Sequence, residues 1–260
     1  MNKLPKITLY FWIMKICATT LGETAGDLLS MTLHIGYALS SLILISFFAM
    51  TLGAQLASRK HHPFLYWAVI LSTSTAGTTM SDYMDRTLGL GYLKGTVILL
   101  TILLAILTFW RLSVRDLSVV NIKTWNVELL YWTTILFSNT LGTALGDFLA
   151  DTSGLGFGGG ALLISSLIGL IALAHFYTRI STTLLFWTTF ILTRPLGATM
   201  GDLLTKPHVK GGLNLGTVGS SAVLAAILGV FVWHSMWSRK SASVATAPDF
   251  ALLESELEGK

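Results

Sequence analysis

The sequence predicts an all-α membrane protein of eight transmembrane helices, built from four parallel two-helix repeats around an axis normal to the bilayer. Three observations carry this. The composition is 53% apolar and 12% charged with a mean hydropathy of +0.69, against about 25% charged residues in a soluble domain. Eight apolar runs have the ~20-residue length that crosses a ~30 Å hydrocarbon core. One element, Trp followed by Gly at ten residues, a small residue at fourteen and Asp at fifteen, occurs four times without a slip in spacing.

The runs lie near 7–29, 35–57, 63–84, 91–111, 127–149, 155–177, 183–204 and 214–237. None shows the ten-residue alternation of a transmembrane β-barrel. The first run carries the repeated element and so belongs to the mature fold and not to a cleaved signal. The copies are Trp12/Gly22/Gly26/Asp27, Trp67/Gly77/Ser81/Asp82, Trp132/Gly142/Gly146/Asp147 and Trp187/Gly197/Gly201/Asp202. The tryptophans are 55, 65 and 55 residues apart, as expected of a two-helix unit duplicated twice with a longer central linker at 113–127. The units are residues 1–60, 61–120, 121–180 and 181–240, with a tail at 241–260 that could form a short helix near 250–257. A second landmark follows Asp by nine residues in three copies: Gly36-Tyr37, Gly91-Tyr92 and Gly156-Phe157. In the fourth, Gly216-Thr217 comes later, as if residues had been inserted near 208–212.

Charge sets the predicted orientation. The odd-to-even connections carry Arg86, Lys94, Lys206 and Lys210. The N-terminus, the even-to-odd connections and the C-terminus carry ten cations: Lys3, Lys6, Arg59, Lys60, Arg111, Arg115, Lys123, Arg179, Arg239 and Lys240. The positive-inside rule places both termini in the cytoplasm. Trp12, Trp67, Trp132 and Trp187, with Trp110, Trp233 and Trp237, are then expected as an interfacial belt, and Lys15 is expected to snorkel toward the same end. The net charge of +4 is topological and points to no nucleic acid. One cysteine, Cys17, excludes an internal disulfide, and the six histidines show no ligand spacing.

At ~1.5 Å per residue, Asp lies ~22 Å beyond Trp, in the outer third of the membrane. Four carboxylates at one depth are costly, which points to function. Gly and the following small residue share a face and predict close helix packing through Gly22, Gly26, Gly77, Ser81, Gly142, Gly146, Gly197 and Gly201. The motif helices are predicted to form the inner ring. Around the four Asp stand Thr19, Asn139, Glu23 and Arg194, a hard-oxygen set with one fixed cation. Arg194 is expected to pair with Asp202, Glu23 or another ring Asp, and Pro195 to kink its helix. Asp85 and Asp151 are read as solvated outer charges.

The repeat number, two spans per repeat and tryptophan placement over about residues 8–237 resemble a bacterial membrane-protein family defined by four tandem copies of a repeat of unknown function. That resemblance implies the cytoplasmic membrane and no activity. Glu23-Thr24-Ala25-Gly26-Asp27 is also somewhat similar to the Glu-x-Gly-Asp signature of manganese/calcium exporters. The spacing is one residue longer, and Leu28 and Leu29 replace its basic and hydroxyl residues, so no roles transfer.

The reading that follows is a multi-pass transporter of a cation, a divalent metal or a proton-coupled small cation. Asp27, Asp82, Asp147 and Asp202 coordinate the ion or relay protons, assisted by Glu23, Arg194, Asn139 and Thr19. The halves 1–120 and 121–260 alternate. Its partners are the lipid bilayer and the transported solute, and a homo-oligomer is compatible with the sequence. No enzyme constellation or cofactor motif occurs. The alternative is a scaffold subunit whose Asp ring serves helix packing.

Overall fold

The computed structural model describes Pro5, residues 7–58, 62–114, Leu117, Ile122 and residues 124–245, with side chains to 237. Lys3, Lys6, Arg59, Lys60, Arg115, Lys123 and the segment 250–257 lie outside the described residues. Among those described, eight α-helices and no strand occur: α1 (Leu9–Asp27), α2 (Tyr37–Ala57), α3 (Pro63–Asp82), α4 (Tyr92–Val114), α5 (Trp125–Asp147), α6 (Gly156–Tyr177), α7 (Thr182–Thr205) and α8 (Thr217–Ala245). Local chemistry starts some of them. Thr8 Oγ1 caps α1 by accepting from the Phe11 amide. Pro63 opens α3, where a missing N–H costs nothing.

The odd helices close into a ring, α1 on α3, α3 on α5, α5 on α7 and α7 on α1. Each even helix packs outside the next repeat's inner helix: α2 on α3, α4 on α5, α6 on α7 and α8 on α1. The inner helices bury most of their side chains, including many Thr and Ser, whereas the outer helices expose Leu, Ile, Val and Phe. Among the described residues, four helices, α2, α4, α6 and the Thr217–Trp237 part of α8, are long and apolar enough to cross a membrane. That is compatible with a membrane protein. The inner helices fall short of that apolarity because they place hydroxyls and charges where the ring shields them.

The landmark glycines have a backbone reason. Gly36, Gly91, Gly156 and Gly216 enter the four outer helices with φ of +81°, +73°, +69° and +75°, a conformation a Cβ disfavours. In the first three copies the chain reaches them through a π turn that follows the ring Asp: Leu28–Thr32, Tyr83–Thr87 and Phe148–Thr152. In the fourth, a 3₁₀ turn at His208–Lys210 takes its place, and the insertion folds back so that Leu215 N donates to Leu204 O (2.9 Å). Helix α7 runs unbroken through Pro195.

The tryptophans form a layer but not a lipid-facing belt. Trp67, Trp132 and Trp187 are buried between ring helices, and Trp187 Nε1 donates to the Leu117 carbonyl (3.0 Å). Trp110 is fully buried, edge-on to Trp187 at 5.6 Å. Only Trp233 and Trp237 among those expected in the belt are strongly exposed. The reason is the aromatic that precedes each motif Trp. Phe11 packs on Trp67 (5.7 Å), Tyr66 on Trp132 (5.6 Å), Tyr131 on Trp187 (6.1 Å) and Phe186 on Trp12 (5.7 Å). The ring is therefore sealed at this end by interlocked aromatics, each reaching forward to the next repeat.

Candidate functional site

The glycine pattern builds the ring by one contact repeated four times. A Cβ on Gly22 would meet Ser74, on Gly77 the Asn139 backbone, on Gly142 Arg194, and on Gly197 Thr19, all within 3 Å. One turn on, Gly26 faces Thr78, Gly146 faces Ala198 and Gly201 faces Glu23. Ser81, the exception, donates to Asp85 Oδ2 (3.3 Å). Gly77→Ala should therefore cost about 1–3 kcal/mol through overpacking, because its Cβ would lie 2.9 Å from the Asn139 carbonyl carbon. Gly169→Ala on the open face of α6, with no atom within 4 Å, should be neutral or stabilising by up to about 1 kcal/mol. Thermal unfolding of the two variants checks this.

Close packing aligns a ladder of residues spaced four apart on each inner helix. Starting from the aromatic before Trp, α1 presents Phe11, Lys15, Thr19, Glu23 and Asp27. Helix α3 presents Tyr66, Ile70, Ser74, Thr78 and Asp82, and α5 presents Tyr131, Ile135, Asn139, Thr143 and Asp147. Helix α7 presents Phe186, Phe190, Arg194, Ala198 and Asp202. All are buried, and contacts between helices join equal rungs: Tyr66 Oη to Tyr131 Oη at 3.0 Å, and Lys15 Nζ over the Phe190 ring at 4.2 Å.

Arg194 occupies the middle of the ladder with no solvent exposure. Its Nη2 donates to Glu23 Oε2 (2.9 Å), Thr143 Oγ1 (2.7 Å), Thr78 Oγ1 and the Ser74 carbonyl (3.3 Å), and its Nη1 to the Thr19 carbonyl (3.4 Å). One side chain thus touches all of the inner helices. Of the expected partners, Glu23 is the one engaged.

The four ring Asp are buried at one level but do not form a single cage. They fall into two pairs, each bridged by a basic side chain four residues after an Asp. Arg86 lies 2.9 Å from Asp82 and donates to Asp147 Oδ2 (3.2 Å). Lys206 donates to Asp27 Oδ2 (2.5 Å) and lies 3.1 Å from Asp202. Burial opposes the charge on Lys206, yet Asp202 and Asp27 outweigh it and hold the amine protonated well above the ordinary lysine range. Arg86 also stands beside the Tyr37 and Tyr92 rings, at 5.8 and 5.7 Å. Arg86 and Lys206, which the sequence places in outer connections, are therefore part of the site. The signal was a basic residue at the same position after Asp in repeats two and four.

Several sequence-based expectations change. Asn139 Nδ2 donates to Thr73 Oγ1 (2.9 Å), and its Oδ1 has no partner, so it joins α5 to α3 and not to the acids. The Thr19 hydroxyl sits on the Lys15, Ile16 and Thr193 carbonyls, which satisfies it within the backbone. Lys15 does not snorkel; it is fully buried. Asp85 is buried against Gly95, whereas Asp151 is exposed as expected.

Five buried carboxyl groups (Glu23, Asp27, Asp82, Asp147 and Asp202) are paired with three basic side chains (Arg86, Arg194 and Lys206), so the acids outnumber their basic partners by two. Glu23, Asp27 and Asp202 each place one carboxylate oxygen within 4.8 Å of the others, so three anionic oxygens from two helices could hold one hard cation. Asp202 Oδ1 and both Asp82 oxygens accept no aimed hydrogen bond despite their nearby cations, which keeps ligand capacity open.

No curated protein and no solved structure matches this chain. A family model, the Repeat of Unknown Function (DUF347), matches residues 10–61, 65–116, 130–181 and 185–241, each span covering one inner helix and the outer helix that follows it in the chain. The chain belongs to that family, with four copies of its repeat.

Proposed function

We propose that the chain is a multi-pass carrier of a hard cation, a divalent metal ion or a proton-coupled small cation, in a bacterial cytoplasmic membrane. The observation that carries this is the sealed cluster of Glu23, Asp27 and Asp202 oxygens within a ring whose acids outnumber their basic partners. Oxygen donors of this kind suit Mg, Ca or Mn over softer metals. In this reading all eight helices span the bilayer, the four apolar ones facing lipid and the four ring helices shielded by them. Both termini face the cytoplasm. The charge bias supports that orientation, because Arg86 and Lys206 turn into the ring and leave Lys94 and Lys210 on the opposite side.

The axis is filled by Tyr66 and Tyr131, by Lys15 and Phe190, and by Arg194, which favours a carrier over an open channel. Among the described residues, three ion pairs join different repeats: Arg86–Asp147, Lys206–Asp27 and Arg194–Glu23. All three link residues 1–120 to residues 121–260. An incoming cation competes with these tethered cations for the same carboxylates, and its binding releases the pairs that hold the halves together. Occupancy is thereby coupled to relative movement of the halves.

The scaffold reading is favoured by one specific observation: every ring Asp already has a basic neighbour. Proteoliposome flux separates the two. For a carrier, Asp27→Asn/Asp202→Asn should lose at least about tenfold of Mn²⁺, Mg²⁺ or Ca²⁺ uptake, equivalent to about 1.4 kcal/mol or more at the site, while still eluting as a folded species. Absence of uptake by the wild type, with misassembly of the variant, selects the scaffold.

A further inference from the structure

The carboxylates account for one side of Arg194. On its other side, one rung toward the aromatic seal, stands Lys15. It is fully buried, its Nζ donates to no oxygen, and it lies 4.2 Å over the Phe190 ring. The equivalent residues of the other repeats are Ile70, Ile135 and Phe190, all buried and apolar. The packing of this rung therefore does not require an amine. A buried ammonium without a counter-ion is costly, and an intramembrane ionisable group is a functional candidate by default.

The groups facing Lys15 can be named. From α7 they are Arg194, one rung up, and Phe190. From α3 and α5, Tyr66 and Tyr131 join hydroxyls one rung down. On α1 itself Glu23 lies two rungs up, engaged with Arg194, and Cys17 turns to the Leu224 carbonyl of α8. Among its described side chains, helix α8 brings no charged group to this rung; His234 is exposed beside Tyr10. Between Lys15 and Glu23, three buried polar atoms have no partner: Ser74 Oγ, Asn139 Oδ1 and Arg194 Nε. The axis thus has a polar rung above Lys15 and a hydroxyl pair below it.

We propose that Lys15 is a proton-binding station of the transport axis, exchanging its proton on the aromatic side in step with cation occupancy on the acidic side. The proposal rests on the cation-carrier reading and adds the coupling ion. When a cation displaces Arg194 from Glu23, the guanidinium loses its carboxylate and its positive charge acts on Lys15. An N–H bond of the Lys15 ammonium breaks, the amine keeps the electron pair, and one proton leaves toward the Tyr66–Tyr131 hydroxyls and the cytoplasm. When the cation departs, Arg194 returns to Glu23 and Lys15 takes up a proton again.

Lys15→Ile tests this, because it installs the side chain of repeats two and three and should fold. In proteoliposomes loaded with a pH dye, wild-type Mn²⁺ uptake should be accompanied by proton movement. In Lys15→Ile the number of protons moved per Mn²⁺ should fall by at least about tenfold. An unchanged ratio overturns the proposal and leaves the cation reading standing. If the wild type moves no Mn²⁺, the cation reading fails, and the station is decided by ¹⁵N-lysine NMR of the full chain. A resonance absent from Lys15→Ile should titrate between about pH 5 and about pH 9, the range desolvation opens to a buried lysine. A Lys15 signal indifferent to pH across that range overturns the proposal whatever the flux shows.

Discussion

Arg194→Leu should destabilise the ring by about 3–5 kcal/mol, the range for removing one member of a buried ion pair. The cause is what remains. The Glu23 carboxylate, 2% exposed, is left with the Thr78 and Thr143 hydroxyls, which donate to it at 3.2 and 3.4 Å. The Thr19 and Ser74 carbonyls also lose the donor that draws α1 and α3 toward α7. At about 2–4 °C per kcal/mol for a chain of this size class, the unfolding midpoint should fall by roughly 10 °C. Glu23→Leu in the same background should recover most of the loss, since replacing both buried charges is often neutral. Thermal unfolding of both singles and the double closes the cycle. Additive effects would show that the pair does not hold the helices together. Arg194→Lys should recover little, because an ammonium cannot reproduce the fork that reaches the Thr19 and Ser74 carbonyls together.

The ring helices were legible because their signals repeat at fixed spacing. Gly22 and its three counterparts say that two backbones approach closely, and each sits against the side chain or backbone three residues before its counterpart on the next helix. Apolar runs marked the outer helices for the same reason: lipid- or core-facing Leu and Ile are a local property. The site was less legible because its key contacts depend on how the chain leaves the ring. Residues after Asp82 read as the start of an outer loop, yet the π turn Tyr83–Thr87 folds Arg86 back onto two carboxylates. A turn with i→i+5 bonds leaves no residue-type signature comparable to a glycine at positive φ. Lys15 was misplaced by a single assumption, that the tryptophans mark a lipid interface. Once Tyr66 packs on Trp132 and Phe11 on Trp67, that end of the ring is filled with aromatic side chains, and the lysine behind them is buried instead of reaching the interface.

Lys206→Gln should raise the affinity for Mn²⁺ or another hard divalent ion by at least about tenfold, which needs only about 1.4 kcal/mol. The tethered amine stands 2.5 Å from Asp27 and 3.1 Å from Asp202, two of the three residues that bring oxygens within 4.8 Å of one another. It therefore occupies the place a bound cation would take. A unit charge at ~4 Å is worth up to about 4 kcal/mol at an effective dielectric of ~20, so removing it exceeds the tenfold threshold even after much of the gain is lost to reorganisation. Arg86→Gln serves as the contrast. It frees Asp82 and Asp147, which have no Glu23 equivalent, since Thr78 and Thr143 occupy that rung. Two carboxylates make a poorer site for a cation that takes six to eight oxygens. The ion-free form of Lys206→Gln should be less stable than the wild type, because Asp27 and Asp202 then face each other with no cation between them. Added Mn²⁺ should restore its unfolding midpoint in proportion to ligand concentration over Kd. Calorimetric titration with and without chelator reads both effects. Unchanged affinity in Lys206→Gln, or an equal rise in Arg86→Gln, would remove the Glu23–Asp27–Asp202 cluster as the cation site and leave the two Asp pairs as struts between the halves.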